Sequence, residues 1–121
     1  MASGTIKNVI NDSPRKFVGT RNEAYTDAGN VYGYIWGKVV WLSGWIRLRS
    51  DVTIGRTDKI VTGLPPAADN VNVIYFDQTT FDLGCLYIDK DTDRTSIVSG
   101  GYLQAGHIGH ILNFAATYIM Q

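Results

Sequence analysis

The sequence has little of what disulfide-linked, metal-clustered and membrane-spanning proteins require. Its single cysteine, Cys85, excludes an internal disulfide framework and a zinc site built from clustered cysteines. No uninterrupted apolar run approaches the ~18 residues of a membrane-spanning helix. Met1–Lys7 lack the apolar core of a signal peptide. We therefore expect no membrane insertion, and a chain made in the cytoplasm without a signal peptide.

Charge is also scarce and balanced. Charged residues make up 18% of the chain, below the usual ~25% of soluble domains. The 11 basic residues offset the 11 acidic ones, so the formal net charge is +0. A nucleic-acid-binding domain would normally carry a basic face, and a disordered chain would combine low hydrophobicity with high net charge. We expect neither.

The apolar residues present suffice for one packed domain. Hydrophobic residues are 45% of the 121 residues, and aromatic residues are 12%. A chain of this length should bury about two-thirds of its unfolded surface. We expect a single domain in which 1–30 form an N-terminal arm or edge strands and 31–121 form the main body.

The distribution of residue types indicates β structure. Val, Ile, Thr, Tyr and Trp dominate the apolar segments, and turn residues separate these segments about every ten residues. The predicted strands are 31–35, 38–49, 59–61, 71–76, 81–88, 95–98 and 108–120, with further short strands at 5–10 and 16–18. Turns are predicted at 27–30 and 89–94. The fold class is therefore all-β, an antiparallel β-sandwich of jelly-roll type.

The clearest pattern lies in segment 38–49. Its even positions are apolar and suit the core, whereas its odd positions carry Trp41, Trp45, Arg47 and Arg49. The aromatic residues have two interpretations: a packed layer within the chain or against a neighbouring subunit, or an exposed platform for a sugar ring. We expect Trp45 to be packed. Gly44 indicates a bulge or a close backbone approach.

The arginines suit ligand binding better, because they approach the loop that begins at Ser50. The candidate ligand-binding residues are Trp41, Arg47, Arg49 and Asp77. Asp77 begins the segment 77–80, which together with loop 51–57 could also contact a ligand.

Two groups of residues resemble metal sites only in part. Asp89, Asp91 and Asp93 have the spacing that opens an EF-hand calcium loop, but Arg94 stands where that loop needs glycine. A solvated hairpin tip is the better interpretation. His107 and His110 would point to opposite faces of a strand, and could bind a metal only by gathering around a symmetry axis. We expect no metal and no other cofactor.

Catalytic machinery is not evident either. Cys85 lies in the alternating series Phe81, Leu83, Cys85 and Tyr87, which predicts a small core residue rather than a nucleophile. No pair of carboxylates stands out as an acid–base pair, and no glycine-rich loop leads into a lysine-bearing helix. We expect a protein that is not an enzyme.

Several short motifs resemble a known family. They are Trp36–Ile46, which reads WGKVVWLSGWI, the IVTGLP segment at 60–65, LYID at 86–89, and the terminal strand 111–119. Together they resemble the C-terminal receptor-binding head domains of phage and prophage tail-fibre and baseplate proteins, especially those of Gram-positive type. The resemblance covers roughly residues 30–120.

The resemblance implies a homotrimeric β-sandwich head in a virion, at the tip of a phage tail. It also implies attachment to a saccharide on the host-cell surface, with other tail or baseplate proteins as partners. No binding residue carries over from the family. Two alternatives stay open: a structural trimerisation cap without a ligand, and a carbohydrate-binding module of a bacterial enzyme.

Overall fold

The computed structural model describes residues 13–100 and 109–121. Within these ranges the chain forms nine strands: β1 (Arg15–Val18), β2 (Thr20–Arg21), β3 (Thr26–Trp36), β4 (Val39–Leu48), β5 (Lys59–Thr62), β6 (Val71–Asp77), β7 (Leu83–Asp89), β8 (Asp93–Val98) and β9 (Ile111–Ile119). The same ranges contain no helix, and so none that is long and apolar enough to cross a membrane.

All nine strands belong to one antiparallel sheet with the order β1-β3-β4-β9-β6-β7-β8-β5-β2. The two edge strands, β1 and β2, are separated along the chain by Gly19 alone. The Gly19 amide donates a hydrogen bond to the Val31 carbonyl at 2.9 Å, and β2 contacts β3 as well as its partner β5. The sheet therefore curls until its edges nearly meet, and the predicted all-β antiparallel class is confirmed.

The curled sheet encloses one apolar core, which alternate residues of each strand supply. In β4 the even positions face inward, as predicted, and Ile46 has no exposed surface. In β9, Leu112, Phe114 and Tyr118 alternate with outward residues, so the segment is a strand rather than a helix. Further core residues are Val31, Ile60, Val61, Val73, Leu86, Ile88 and Ile97.

Gly44 permits a close approach between backbones rather than a bulge. Its register is regular on both sides, with Val31 of β3 opposite it on one side and Phe114 of β9 on the other. A Cβ atom at this position would lie 2.5 Å from the Asn30 carbonyl oxygen and 3.0 Å from the Phe114 ring. Glycine is therefore required sterically in the centre of β4.

The predicted turn at 27–30 is wrong, because β3 already begins at Thr26. The polar residues of this segment form a β-bulge between Thr26 and Ala28, opposite the end of β4. Gly29 has a φ of 143°, and a Cβ there would overlap the backbone of β4. A bulge needs the same small and polar residue types as a turn, which explains the misreading.

The first residue of β7, and the set of its side chains that points to the core, also differ from the prediction. Phe81 has a left-handed φ of 63° and belongs to the turn that follows Asp77, so β7 begins at Leu83. Leu86 and Ile88 face the core, whereas Leu83 is 75% exposed and Cys85 is only half-buried. The expectation that Cys85 is a core residue is therefore wrong.

Other strand boundaries shift by a few residues at most. The short strand predicted at 16–18 is present as β1, paired antiparallel with β3. The strand predicted at 5–10, His107, and the first residue of the predicted strand 108–120 lie outside the described residues.

Candidate functional site

The most prominent surface feature is an apolar face on the outside of six of the nine strands. Strands β1, β3, β4, β9, β6 and β7, which are consecutive neighbours, carry it. Its large side chains are all at least 36% exposed: Val18, Tyr32, Tyr34, Trp36, Trp41, Trp45, Ile74, Phe76, Leu83 and Ile119, together with Phe81 in the turn before β7. We call these residues the outer apolar face. Monomeric soluble proteins rarely expose large contiguous apolar patches.

The strand register joins these side chains into rows. Trp45 of β4 lies opposite Asn113 of β9. Asn113 in turn lies opposite Phe76 of β6, and Phe76 lies opposite Leu83 of β7. Side chains that stand directly opposite have Cβ atoms about 4.5–5.5 Å apart. The row therefore crosses four strands, and the Asn113 amide is the one polar side chain between its apolar members.

A pair of tryptophans lies at the β3–β4 hairpin end of this face. Trp36 and Trp41 stack with ring centroids 6.3 Å apart and an interplanar angle of 21°. Trp36 immediately precedes the two-residue turn of this hairpin, in which Gly37 has a φ of 60°, and Trp41 follows on β4. Nearby on β1, the Lys16 ammonium group lies 5.5 Å from the centroid of the Tyr32 ring. The hairpin thus presents an aromatic surface, and the Lys16 cation lies beside it.

The structure places Trp41 where the sequence predicted it, on the outward face of β4. Of the two kinds of packing expected for Trp45, within the chain or against a neighbouring subunit, packing in the core is wrong, because this side chain also points outward and is 37% exposed. The strict alternation of β4 requires this outcome: Ile46, the next residue, faces the core. Contact between Trp45 and a neighbouring subunit stays a prediction.

Arg47 and Arg49 are held by acidic neighbours. The Arg47 Nε atom donates to Asp27 Oδ1 at 2.6 Å, across the β3–β4 pair. Arg49 donates from Nε and Nη2 to the two carboxylate oxygens of Asp51, at 2.9 and 2.7 Å. These hydrogen bonds lower the pKa of the Asp51 carboxyl group. Both arginines would have to exchange an intramolecular partner to bind a ligand.

Asp77 has no exposed surface, unlike the other three candidate residues. Its Oδ2 atom is 2.8 Å from Nδ1 of His110, while its Oδ1 atom accepts hydrogen bonds from the amides of Thr79 and Thr80 at 2.9 and 3.2 Å. This arrangement fixes the turn between β6 and β7 and ties it to the start of β9. The geometry therefore gives Asp77 a structural role and keeps its carboxylate away from the surface.

The environment of Asp77 has two opposed effects on its pKa. Burial raises the pKa of the carboxyl group, but the hydrogen bonds from His110, Thr79 and Thr80 together outweigh burial. The pKa of Asp77 consequently lies below its ordinary value. The carboxylate is thus the stable form in the folded protein.

The acidic residues 89–93 form the tip of the β7–β8 hairpin. Asp89 accepts hydrogen bonds from the Asp91 amide at 2.9 Å and from the Thr92 hydroxyl at 3.2 Å. Asp93 accepts from Lys59 Nζ at 2.7 Å and from the Thr95 hydroxyl at 2.6 Å. Within 13–100 and 109–121, no group of three or more His, Cys, Asp or Glu side chains could hold a metal ion.

A polar cleft of about 560 Å³ opens beside this hairpin. Its walls come from β6, β7, the end of β8 and the loop before β5. The lining side chains that bear on its chemistry are Arg56, Asn72, Tyr87, Asp89 and Asp91. The volume falls within the roughly 300–1,000 Å³ typical of small-molecule sites.

Sequence reasoning missed both the cleft and the β6 contribution to the outer apolar face. In β6, Val71, Val73 and Tyr75 face inward, but the intervening positions include Ile74 and Phe76, which are 51% and 36% exposed. Apolar residues on both faces of one strand are the signal that could have indicated a covered outer surface.

Comparison with known proteins adds no relative. No family model, no curated protein and no solved structure matches this chain.

Proposed function

We propose that this chain is an attachment domain of a phage or prophage tail fibre or baseplate, which assembles as a homotrimer and binds a saccharide on the host surface. The outer apolar face is the observation that carries the proposal. A second and a third copy of the chain would bury it, and closed cyclic symmetry is the usual way for identical subunits to do so. The motifs within 36–46, 60–65, 86–89 and 111–119 support the phage origin by resemblance.

The composition of the face favours a protein partner over solvent. Of its exposed residues, Tyr32, Tyr34, Trp36, Trp41, Trp45, Phe76 and Phe81 are aromatic. Aromatic side chains are enriched in the buried centres of protein interfaces, and Trp and Tyr dominate their binding energy. The balanced charge of the chain adds no long-range repulsion between copies.

Phe81 gives independent support. Among the described residues it is the one non-glycine residue with a positive φ, a conformation that costs a bulky side chain about 1–3 kcal/mol. Its ring is 75% exposed and lies 5.9 Å from the Phe76 ring, centroid to centroid. In a monomer, little burial of the Phe81 ring offsets the cost of this backbone conformation. A partner subunit would bury the ring and offset that cost.

One observation favours a second candidate, a carbohydrate-binding module of a bacterial enzyme. The stacked Trp36–Trp41 pair, with both rings about 40% exposed, offers an apolar platform of the kind that packs against sugar rings. Such a module would more often be monomeric. Its platform would then have to stay accessible, whereas the homotrimer buries it.

Binding to bacterial cells tests the attachment function. The labelled, purified chain should bind to Gram-positive cells of a susceptible host, and oxidation of their surface sugars with periodate should abolish binding. Vicinal diols are cleaved by periodate, whereas most surface proteins keep their fold. A chain that binds no cells, or that binds treated and untreated cells equally, would contradict the proposal. The alternative of a structural trimerisation cap that binds no ligand would then remain.

A further inference from the structure

We propose that the polar cleft formed by Arg56, Asn72, Tyr87 and Asp91 is the saccharide-binding site, and that it selects uncharged over anionic saccharides. The inference rests on the proposed attachment function and assigns it a location. It moves the site away from the candidates that the sequence indicated, which were Trp41, Arg47, Arg49 and Asp77.

The walls of the cleft are fixed by contacts between distant parts of the chain. The Gly100 amide donates to the Arg56 carbonyl at 3.0 Å, and the Ser99 hydroxyl donates to the Gly55 carbonyl at 3.1 Å. Within the loop, the Asp58 carboxylate accepts the Gly55 amide at 2.6 Å. The loop that carries Arg56 is therefore anchored to the end of β8, so binding would order little additional chain.

Gly100 also makes room for an aromatic ring. Its φ is 63°, and a Cβ atom at this position would overlap the Tyr87 ring. The ring therefore packs directly on the backbone at Gly100 and forms part of the cleft wall. An aromatic ring held in this way is suited to contact the apolar face of a sugar.

The polar groups of the cleft suit hydroxyl groups. In the part of the chain that the structure describes, the Arg56 guanidinium, the Asn72 amide and the Asp91 carboxylate make no side-chain hydrogen bond or ion pair with other protein groups. They supply a planar donor, a combined donor and acceptor, and a charged acceptor. Vicinal hydroxyls, each both a donor and an acceptor, could use all three.

The charges in the cleft bear on which saccharides can enter. Asp89 and Asp91 contribute two carboxylates and Arg56 one guanidinium, so the negative charges outnumber the positive. An anionic polymer such as a phosphate-linked cell-wall glycan would meet net repulsion. A neutral saccharide would not.

The cleft is compatible with assembly through the outer apolar face. Asn72 of β6 lies opposite Tyr87 of β7. The next pair on the same face of these two strands is Ile74 and Cys85, which are apolar. The cleft therefore begins where the apolar residues of these strands end. Copies packed through the apolar face would leave it open at the margin of the interface.

Saccharide binding by the purified full chain and two cleft variants tests this location. The probe is an array of neutral and anionic bacterial surface saccharides, with the affinity then measured in solution for those bound. Asn72→Ala and Asp91→Asn should each weaken binding about five- to tenfold, as loss of one or two hydrogen bonds requires. Glu23→Gln is the control, since Glu23 is exposed in the turn before β3 and does not line the cleft. It should bind like the wild-type chain.

The outcomes separate the site from the function. Wild-type binding to neutral saccharides that both cleft variants weaken and Glu23→Gln leaves unchanged would support the cleft. Wild-type binding that neither cleft variant weakens, or binding confined to anionic saccharides, would overturn the cleft and leave attachment intact. A wild-type chain that binds no saccharide at all would overturn the attachment function and the cleft together.

Discussion

Trp45 and Ile46 are sequence neighbours in β4 with opposite surroundings. Ile46 has no exposed surface and belongs to the core, whereas Trp45 is 37% exposed on the outer apolar face. The difference follows from the two-residue period of a strand, which sends consecutive side chains to opposite faces. The two positions can therefore separate the stability of one subunit from association between subunits.

Substitution by alanine should affect these positions differently. Ile46→Ala leaves a cavity in the core and should lower the free energy of unfolding by about 2–5 kcal/mol at any protein concentration. Trp45→Ala removes no core contact, so its effect should be large only at concentrations where the wild-type chain is assembled. Denaturant unfolding at several protein concentrations checks this. Equal, concentration-independent losses for both variants would show that Trp45 is packed within the subunit.

Asp77 should contribute to the acid sensitivity of the fold. Because its folded-state pKa lies below the ordinary ~3.9, its carboxylate stabilises the fold above about pH 4, and this stability is lost as the pH falls through the folded-state pKa. Asp77→Asn should therefore show a smaller decline in the free energy of unfolding upon acidification than the wild-type chain. At pH 7 the variant should be less stable, by about 1–3 kcal/mol.

Asp82→Asn serves as the control for this measurement, because Asp82 is exposed in the same turn. At pH 7 its free energy of unfolding should lie within about 0.5 kcal/mol of the wild-type value. If the acid denaturation curve of Asp77→Asn matched that of the wild-type chain, the hydrogen bonds from His110, Thr79 and Thr80 would not stabilise the carboxylate.

Among the elements, β4 and β9 could be predicted from the sequence and β7 only in part. Each of the first two combines apolar residues on one face with mostly polar, aromatic or small residues on the other, so the inward face is unambiguous. Segment 81–88 has apolar side chains on both faces, so its sequence does not indicate which face points to the core. The start of β7 depended on the left-handed conformation of Phe81, which residue type does not reveal.

The centre of β4 should tolerate no side chain at position 44. Gly44→Ala would place a Cβ atom against the Asn30 carbonyl and the Phe114 ring, and would force β3 and β9 apart. We expect a loss of about 1–3 kcal/mol in the free energy of unfolding. Ser43, the residue before Gly44, has an exposed side chain. As a control, Ser43→Ala should change the free energy of unfolding by less than about 0.5 kcal/mol. Thermal unfolding of the two variants checks the contrast, which equal melting temperatures would refute.

At the scale of the whole molecule, the fold class followed from the sequence, but the closure of the sheet and the polar cleft did not. Residue types and turn spacing suffice for an antiparallel all-β protein. The cleft, by contrast, brings Arg56, Asn72 and Asp91 together through hydrogen bonds of Ser99 and Gly100 to the loop before β5. These residues are far apart along the chain, and no local pattern relates them.

The outer apolar face likewise emerges only at this scale. It draws its residues from six strands and one turn, and each strand alone carries only one to three exposed large apolar side chains, which is ordinary for a protein surface. Their register across the sheet makes them one surface. In the proposed homotrimer, identical copies bury this surface between them.

The molecular mass in solution tests the proposed homotrimer most directly. Light scattering on the purified chain at micromolar concentration should give close to three times the 13.4 kDa mass of one chain. Trp45→Lys, which places a charge in the middle of the outer apolar face, should reduce the mass to that of one folded chain. A wild-type mass of 13.4 kDa at micromolar concentration would contradict the account, as would a variant that stays fully assembled.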